Sequence, residues 1–365
     1  MSGTASAAAR PDLGALLEQQ HLPALDGLRA IAVFTVMVYH FGVAQVPGDL
    51  GVSGFFVLSG FLITWLLRQE YRASGTISLK RFYARRTLRI FPAYYVFVTF
   101  SFLVDHLRGE HWPKALTLSA FGYVMNYYNA LHGYPITSVA HAWSLAIEEQ
   151  FYLLWPLAFL LLSRGGTRAL VRALVAAILA VVIWRSYLYL VRDVGSAYVY
   201  DAFDTRFDNL AVGCLLAVGL ESGGVRSAAS ALARWSWLPL VTLALLIVSR
   251  QETSVRYHYS AGFTVDACLV AVFIVQMLQL SRAALWRWLE LPVVRYLGRI
   301  SYPLYLYHLW GDNVGERARG AGPVGMFAVA ALASIALASG SYFVVERPFL
   351  ALKEAFGARR ASSRS

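Results

Sequence analysis

Apolar runs close to the length of a membrane-crossing helix recur along almost the whole chain. A span takes about 20 predominantly apolar residues, and ten stretches approach that length: 22–42, 51–67, 90–107, 144–163, 169–191, 207–220, 236–249, 261–280, 296–310 and 323–345. Only 15% of the 365 residues are charged, against roughly 25% in soluble domains, and mean hydropathy is +0.53. The sequence therefore predicts an all-α polytopic integral membrane bundle of about ten transmembrane helices, and a soluble globular fold is excluded. Residues 1–20 are Ala-rich and polar and lack the short apolar stretch and cleavage site of a signal peptide; they are expected to be a disordered cytoplasmic tail. One membrane domain is expected over 21–350, followed by a second cytoplasmic tail over 351–365. Cys214 and Cys268 both fall in apolar runs, which points to neither a disulfide framework nor a cysteine metal site.

Positive charge orients the bundle, because Lys and Arg concentrate in cytoplasmic loops. An eleventh apolar run, 115–131, contains Asn126 and Asn129 and is followed by Gly-Tyr-Pro; it is expected to be re-entrant or interfacial. With that run not crossing and both termini cytoplasmic, 22 of the 32 Lys and Arg fall inside and eight outside. Arg29 and Arg185 remain within spans. Letting 115–131 cross would move the Arg164, Arg168 and Arg172 cluster to the wrong side. The net charge of +11 then follows from orientation and anionic lipid, and no nucleic-acid partner is expected.

Ionisable groups inside a bilayer are costly unless paired or hydrated, so each is a functional candidate. The first span, LPALDGLRAIAVFTVMVYHFG, carries Asp26, Arg29 and His40. Arg29 and His40 are 11 residues apart and project from one helix face, ~16 Å apart along the axis. Asp26 lies one turn from Arg29 and can neutralise it. A structural Asp26–Arg29 pair with an interfacial His40 fits these residues equally well. The fourth span opens HAWSLAIEEQFYLLWP, which places Glu148 and Glu149 at a depth expected to match that of His40. Adjacent helical residues diverge by ~100°, so one of the two could orient an imidazole, as the acid beside a catalytic histidine does.

The loop after the second span reads LKRFYARRTLRIFPAYY. Guanidinium forks at Arg85, Arg86 and Arg89 suit phosphate oxygens, and lipid head-group anchoring explains a basic loop as well. Small residues in GVSGFFVLSGFLI suit close helix packing. Nearer the carboxyl end, LGRISYPLYLYHLW supplies Tyr302, Tyr305 and His308, and SYFVVERPF supplies Glu346. The segment YDAFDTRFDNLAVG is expected to open with a solvated outer loop holding Asp201, Asp204, Arg206 and Asp208.

The order and spacing of LDGLRAIAVFTVMVYH, FFVLSGFLI, RFYARRTLRIFP, WSLAIEEQFYLLWP, TRFDNLAVG, SYPLYLYH and SYFVVERP resemble the integral membrane acyltransferase-3 family from Leu25 to Pro348. The resemblance implies O-acyl transfer from acyl-coenzyme A, most simply acetyl-coenzyme A as co-substrate with no permanently bound cofactor and no metal. The implied acceptor is a hydroxyl of a sugar, polysaccharide or glycosylated natural product such as a macrolide. It makes His40 the catalytic histidine, Arg29 its partner, and Arg86 and Arg89, with Arg85 beside them, the acyl-coenzyme A site. Glu148 or Glu149 would orient His40, with Asp26, Tyr302, His308 and Glu346 in support. A multi-pass protein of the cytoplasmic membrane is expected, in the stand-alone form without a fused esterase-like domain. The competing class is a transporter or exporter of a glycan or natural product, although the paired, broken-helix halves common in carriers are not evident.

Overall fold

The computed structural model describes residues 12–19, 21–42, 46–251 and 254–358. Among them every regular element is helical. The principal helices are α1 (Pro23–His40), α2 (Gly48–Ser74), α3 (Leu79–Leu107), α4 (Lys114–Phe121), α5 (Met125–His132), α6 (Trp143–Ser163), α7 (Gly166–Leu190), α8 (Phe203–Gly219), α9 (Leu238–Gln251), α10 (Phe263–Leu280), α11 (Ser301–Gly315) and α12 (Gly322–Ser341). Each of the ten apolar stretches overlaps one of them. Six helical segments are long and apolar enough to cross a membrane, or seven if the bent pair Ser196–Gly219 and Gly223–Leu232 forms one span. The number falls below ten because α1, which carries Asp26, Arg29 and His40, is not apolar enough, α8 and α9 have only 17 and 14 residues, and the segment Ser301–Leu352 joins α11 and α12 across a kink at Ala318. The protein is a multi-pass membrane protein, and large apolar side chains such as Ile183, Val248 and Leu332 face outward.

Close crossings between helices are made at glycines. A Cβ on Gly60 of α2 would collide with the carbonyl oxygen of Leu210, and one on Gly213 of α8 with that of Val57. These two absences of a side chain bring α2 and α8 into backbone contact. Gly311 and Gly315 do the same for α11 against Ala330 and Ser334 of α12. Small residues are the usual means of close packing where lipid removes the hydrophobic drive between helices.

The run 115–131 is two helices of eight residues each, α4 and α5, separated by a break at which Tyr123 adopts φ 55°. Eight residues rise only ~12 Å, so neither helix crosses. Irregular backbone at membrane depth must be satisfied by protein. Tyr94 of α3 donates its hydroxyl to Ala120 O (2.7 Å), and Gln150 of α6 donates to Tyr123 O (3.2 Å) and to Asn126 Oδ1 (3.0 Å).

The amino-terminal tail is partly ordered where it is described. Residues 1–11 and 359–365 lie outside the described residues. Leu13–Leu17, however, is a short helix capped by Asp12, with Leu13 buried and Leu17 O accepting from Trp65 Nε1 at 2.9 Å. At the other end the helix Arg347–Ala358 runs past residue 350. The supposed outer loop at 201–208 is also corrected: Asp201 ends a short helix, and Arg206 and Asp208 lie on α8, all three fully buried. Asp208 is held there by Arg185 (3.1 Å), and the Arg206 guanidinium lies 3.8 Å from the centroid of the Phe263 ring.

A reporter fused near Tyr134 is expected on the same side of the membrane as one fused near His111; placement on opposite sides would make 115–131 a full crossing. Gly213→Val is expected to destabilise the bundle by about 1–3 kcal/mol through overpacking. Thermal unfolding of the purified protein should show the loss, and an unchanged midpoint would mean that the α2–α8 contact is loose.

Candidate functional site

Helices α1, α2, α3, α6 and α11 converge on one cavity. Arg29 of α1, Arg86 and Arg89 of α3, and Glu148 of α6 all line it. Glu148 accepts a hydrogen bond from Ser59 Oγ at 2.8 Å, so its second oxygen remains for the cations around it. Arg29 is paired with Asp26 (3.4 Å), a buried carboxylate that also meets His21 at 3.1 Å. Arg86 lies flat on the Tyr152 ring, 3.4 Å from its centroid. Buried Glu346 supplies an opposing charge to Arg89. Tyr302 also lines the cavity and donates to Ile90 O at 3.2 Å. At the far end from Arg86 and Arg89 the lining includes Ser144 and Tyr305, whose hydroxyls are 2.6 Å apart.

Beyond Tyr305 three imidazoles come together. His40, the last residue of α1, is exposed, and its ring centroid lies 4.9 Å from that of His308. His308 of α11 is fully buried and directs Nδ1 at Tyr305 O, 2.6 Å away. His141 lies in a single turn of 3₁₀ helix just before α6, buried, with its ring 4.8 Å from His308 and 5.3 Å from Tyr305.

The structure thus brings Arg29, Arg86, Arg89, Glu148 and Tyr302 around one cavity and sets His40 and His308 beside its Tyr305 end. Other candidates lie apart. Arg85 turns away to Glu70, at 3.3 Å. Glu149 is not part of the cavity lining, in keeping with the ~100° step between helical neighbours. The glutamates do not share the depth of His40. Buried His141 and Ala142 carry the start of α6 into the bundle, so His141 takes that depth, and Glu148, seven residues further on, reaches the Arg29 end about 10 Å away. Sequence reasoning did not single out His141, Ser144 or Tyr152. Each is an ordinary core residue by type, and only the convergence of separate helices distinguishes it.

The chain matches a family model described as an acyltransferase domain over residues 22–343. It is similar to the O-acetyltransferase OatA of Staphylococcus aureus (strain NCTC 8325 / PS 47), with 29% identity over 360 residues, covering 90% of this chain and 57% of that protein. It is also similar to the peptidoglycan O-acetyltransferase OatA of Listeria monocytogenes, with 30% identity over 322 residues, covering 80% of this chain and 49% of that protein. The chain spans about half the length of these relatives. No solved structure matches it. The ordered motifs, the helical membrane architecture and a family match over most of the sequence agree, and the chain belongs to the acyltransferase-3 family.

Proposed function

We propose that the protein is an O-acyltransferase of the cytoplasmic membrane that moves an acetyl or other short acyl group from acyl-coenzyme A to a carbohydrate hydroxyl. The observation that supports this most directly is the single cavity lined by Arg29, Arg86, Arg89 and Glu148, whose Tyr305 end abuts His308 and, through it, His40. Phosphates cannot enter hydrocarbon, and in this reading those of the donor stay with Arg86 and Arg89, whose planar forks match phosphate oxygens. The thin pantetheine arm then carries the thioester along the cavity toward Tyr305. Arg85 is tied to Glu70 and has no part in donor binding. The name of the Listeria relative makes a peptidoglycan-type glycan the first acceptor to test, and a glycosylated natural product such as a macrolide offers the same chemistry.

In this mechanism His40 takes the proton of the acceptor hydroxyl as its oxygen attacks the thioester carbonyl. The carbon–sulfur bond breaks, and the proton passes to the departing thiolate, giving an ester and free coenzyme A. The oxyanion that forms between these events needs donors that do not have to reorganise, and the Ser144 and Tyr305 hydroxyls stand at that end of the cavity. The same residues serve a relay in which His40 first carries the acyl group and the acceptor then attacks it.

Purified protein in lipid nanodiscs, given radiolabelled acetyl-coenzyme A and a soluble peptidoglycan fragment, is expected to label the acceptor. His40→Ala should lower the rate about 100-fold or more, as loss of a general base does, with its thermal midpoint retained; equal rates would remove His40 from the chemistry. Arg86→Ala and Arg89→Ala should each raise KM for acetyl-coenzyme A roughly tenfold, the loss of one charge-assisted hydrogen bond, with Lys restoring only part. Arg85→Ala should bind the donor as the wild type does. Unchanged donor KM in both cavity variants would return these arginines to anchoring lipid.

A further inference from the structure

The proposed base lacks the carboxylate that usually orients a catalytic histidine. Glu148 is engaged by Ser59 and lines the cavity with Arg29 and Arg86, while the groups packed on the His40 ring are His308 and Tyr39. We propose that His308 is the positioning residue for His40, acting as a neutral hydrogen-bond acceptor where a triad would place an acid. This rests on the reading of His40 as the base.

Three features of the site support this role. First, the Nδ1 of His308 lies 2.6 Å from Tyr305 O; a carbonyl only accepts, so Nδ1 carries the proton and Nε2 is left with a lone pair. Second, that Nε2 is buried and has no hydrogen-bond partner among the described residues, an arrangement that is costly unless something donates to it. Third, the His40 ring centroid is 4.9 Å away and tilted by 54°, a separation at which ring nitrogens turned toward each other come within hydrogen-bond reach. Catalytic hydrogen bonds often tighten in this way only when substrate is present. Once an N–H of His40 is donated to His308 Nε2, the other nitrogen of His40 must carry its lone pair, and it points outward from the end of α1 to receive the acceptor proton.

His141 packs beside this pair. Its ring lies 4.8 Å from that of His308, and neither of its nitrogens has a hydrogen-bond partner among the described residues. The described residues contain no group of three or more His, Cys, Asp or Glu able to hold a metal ion, so the imidazoles are assigned to hydrogen bonding.

The test uses the full chain in nanodiscs with ¹⁵N-labelled histidine. Solid-state NMR is expected to show one signal set of the Nδ1–H tautomer that disappears in His308→Gln. His308→Leu should lower kcat roughly 10- to 100-fold, the range seen when the hydrogen-bond partner of a working histidine is removed, with donor KM within twofold of wild type. His308→Gln, whose Oε1 can accept in place of Nε2, should recover most of that loss. A His308 ring in the Nε2–H tautomer would overturn the assignment, as would a Leu variant that turns over at the wild-type rate or a Gln variant no better than Leu. If wild-type protein transfers no acetyl group, the functional reading fails, and the NMR signals still decide the hydrogen-bonding role of His308.

Discussion

Three guanidinium groups, those of Arg29, Arg86 and Arg89, line one cavity of a membrane bundle, and much of the interior around them is arranged to balance their charge. A charge in hydrocarbon costs several kcal/mol unless it is paired or hydrated. Asp26 meets Arg29 within its own helix, Glu148 reaches the same cavity from α6, and Glu346 faces Arg89 from the segment after α12. Helices far apart in sequence must therefore converge, and their convergence leaves a polar cavity. Removing one member would strand its partners as buried, uncompensated charge, which is the costly way to break such a network.

A second group of buried charges lies in α7, α8 and α10, and it illustrates how differently two arginines can be accommodated. Arg185 is fully buried and fully used: it donates to Ser260 O, Thr205 O and Thr264 Oγ1 and pairs with Asp208. Arg206 is equally buried, yet none of its nitrogens has a hydrogen-bond partner among the described residues. It is enclosed by the faces of Phe263, Tyr200 and Phe56, whose ring quadrupoles attract a cation. The first arrangement fixes α7 against α8 by directed bonds, and the second fills the space between α8 and α10 with a flat charged plate.

Periodicity and charge made the architecture legible, because apolar length and Arg-rich loops act locally. The break in 115–131 was readable from Asn126 and Asn129, whose amides the structure uses against Gln150 and Ala140 O. Arg29, Arg86, Arg89 and Glu148 were equally readable as charges out of place in an apolar chain. Depth was not. Whether Glu148 stands beside His40 or about two turns below it depends on where α6 begins, and that is set by the burial of His141 and Ala142 rather than by any local signal. The partner of Arg85 was likewise invisible, since Glu70 lies on the preceding helix and meets it only because the Gly75 turn folds α2 back on α3. His141 escaped notice because a lone histidine at the mouth of an apolar helix is usually just packed.

Tyr305 is the residue through which the two halves of the site communicate. Its ring packs against Phe55 in the cavity wall and against His141 and His308 beyond it. Its hydroxyl lies 2.6 Å from that of Ser144, and its carbonyl accepts from His308 Nδ1. A change in the cavity that displaced the Tyr305 backbone would therefore alter the tautomer and direction of an imidazole that the cavity never touches. The separation of the two halves also matches the shape of the proposed donor. Along α1 alone, Arg29 and His40 are ~16 Å apart, a distance that a phosphate cannot cross in hydrocarbon and an extended, uncharged arm can. In the proposed reading, a bundle with guanidinium groups at one end of the site and imidazoles at the other suits a donor that is charged at one end and reactive at the far end of a thin linker.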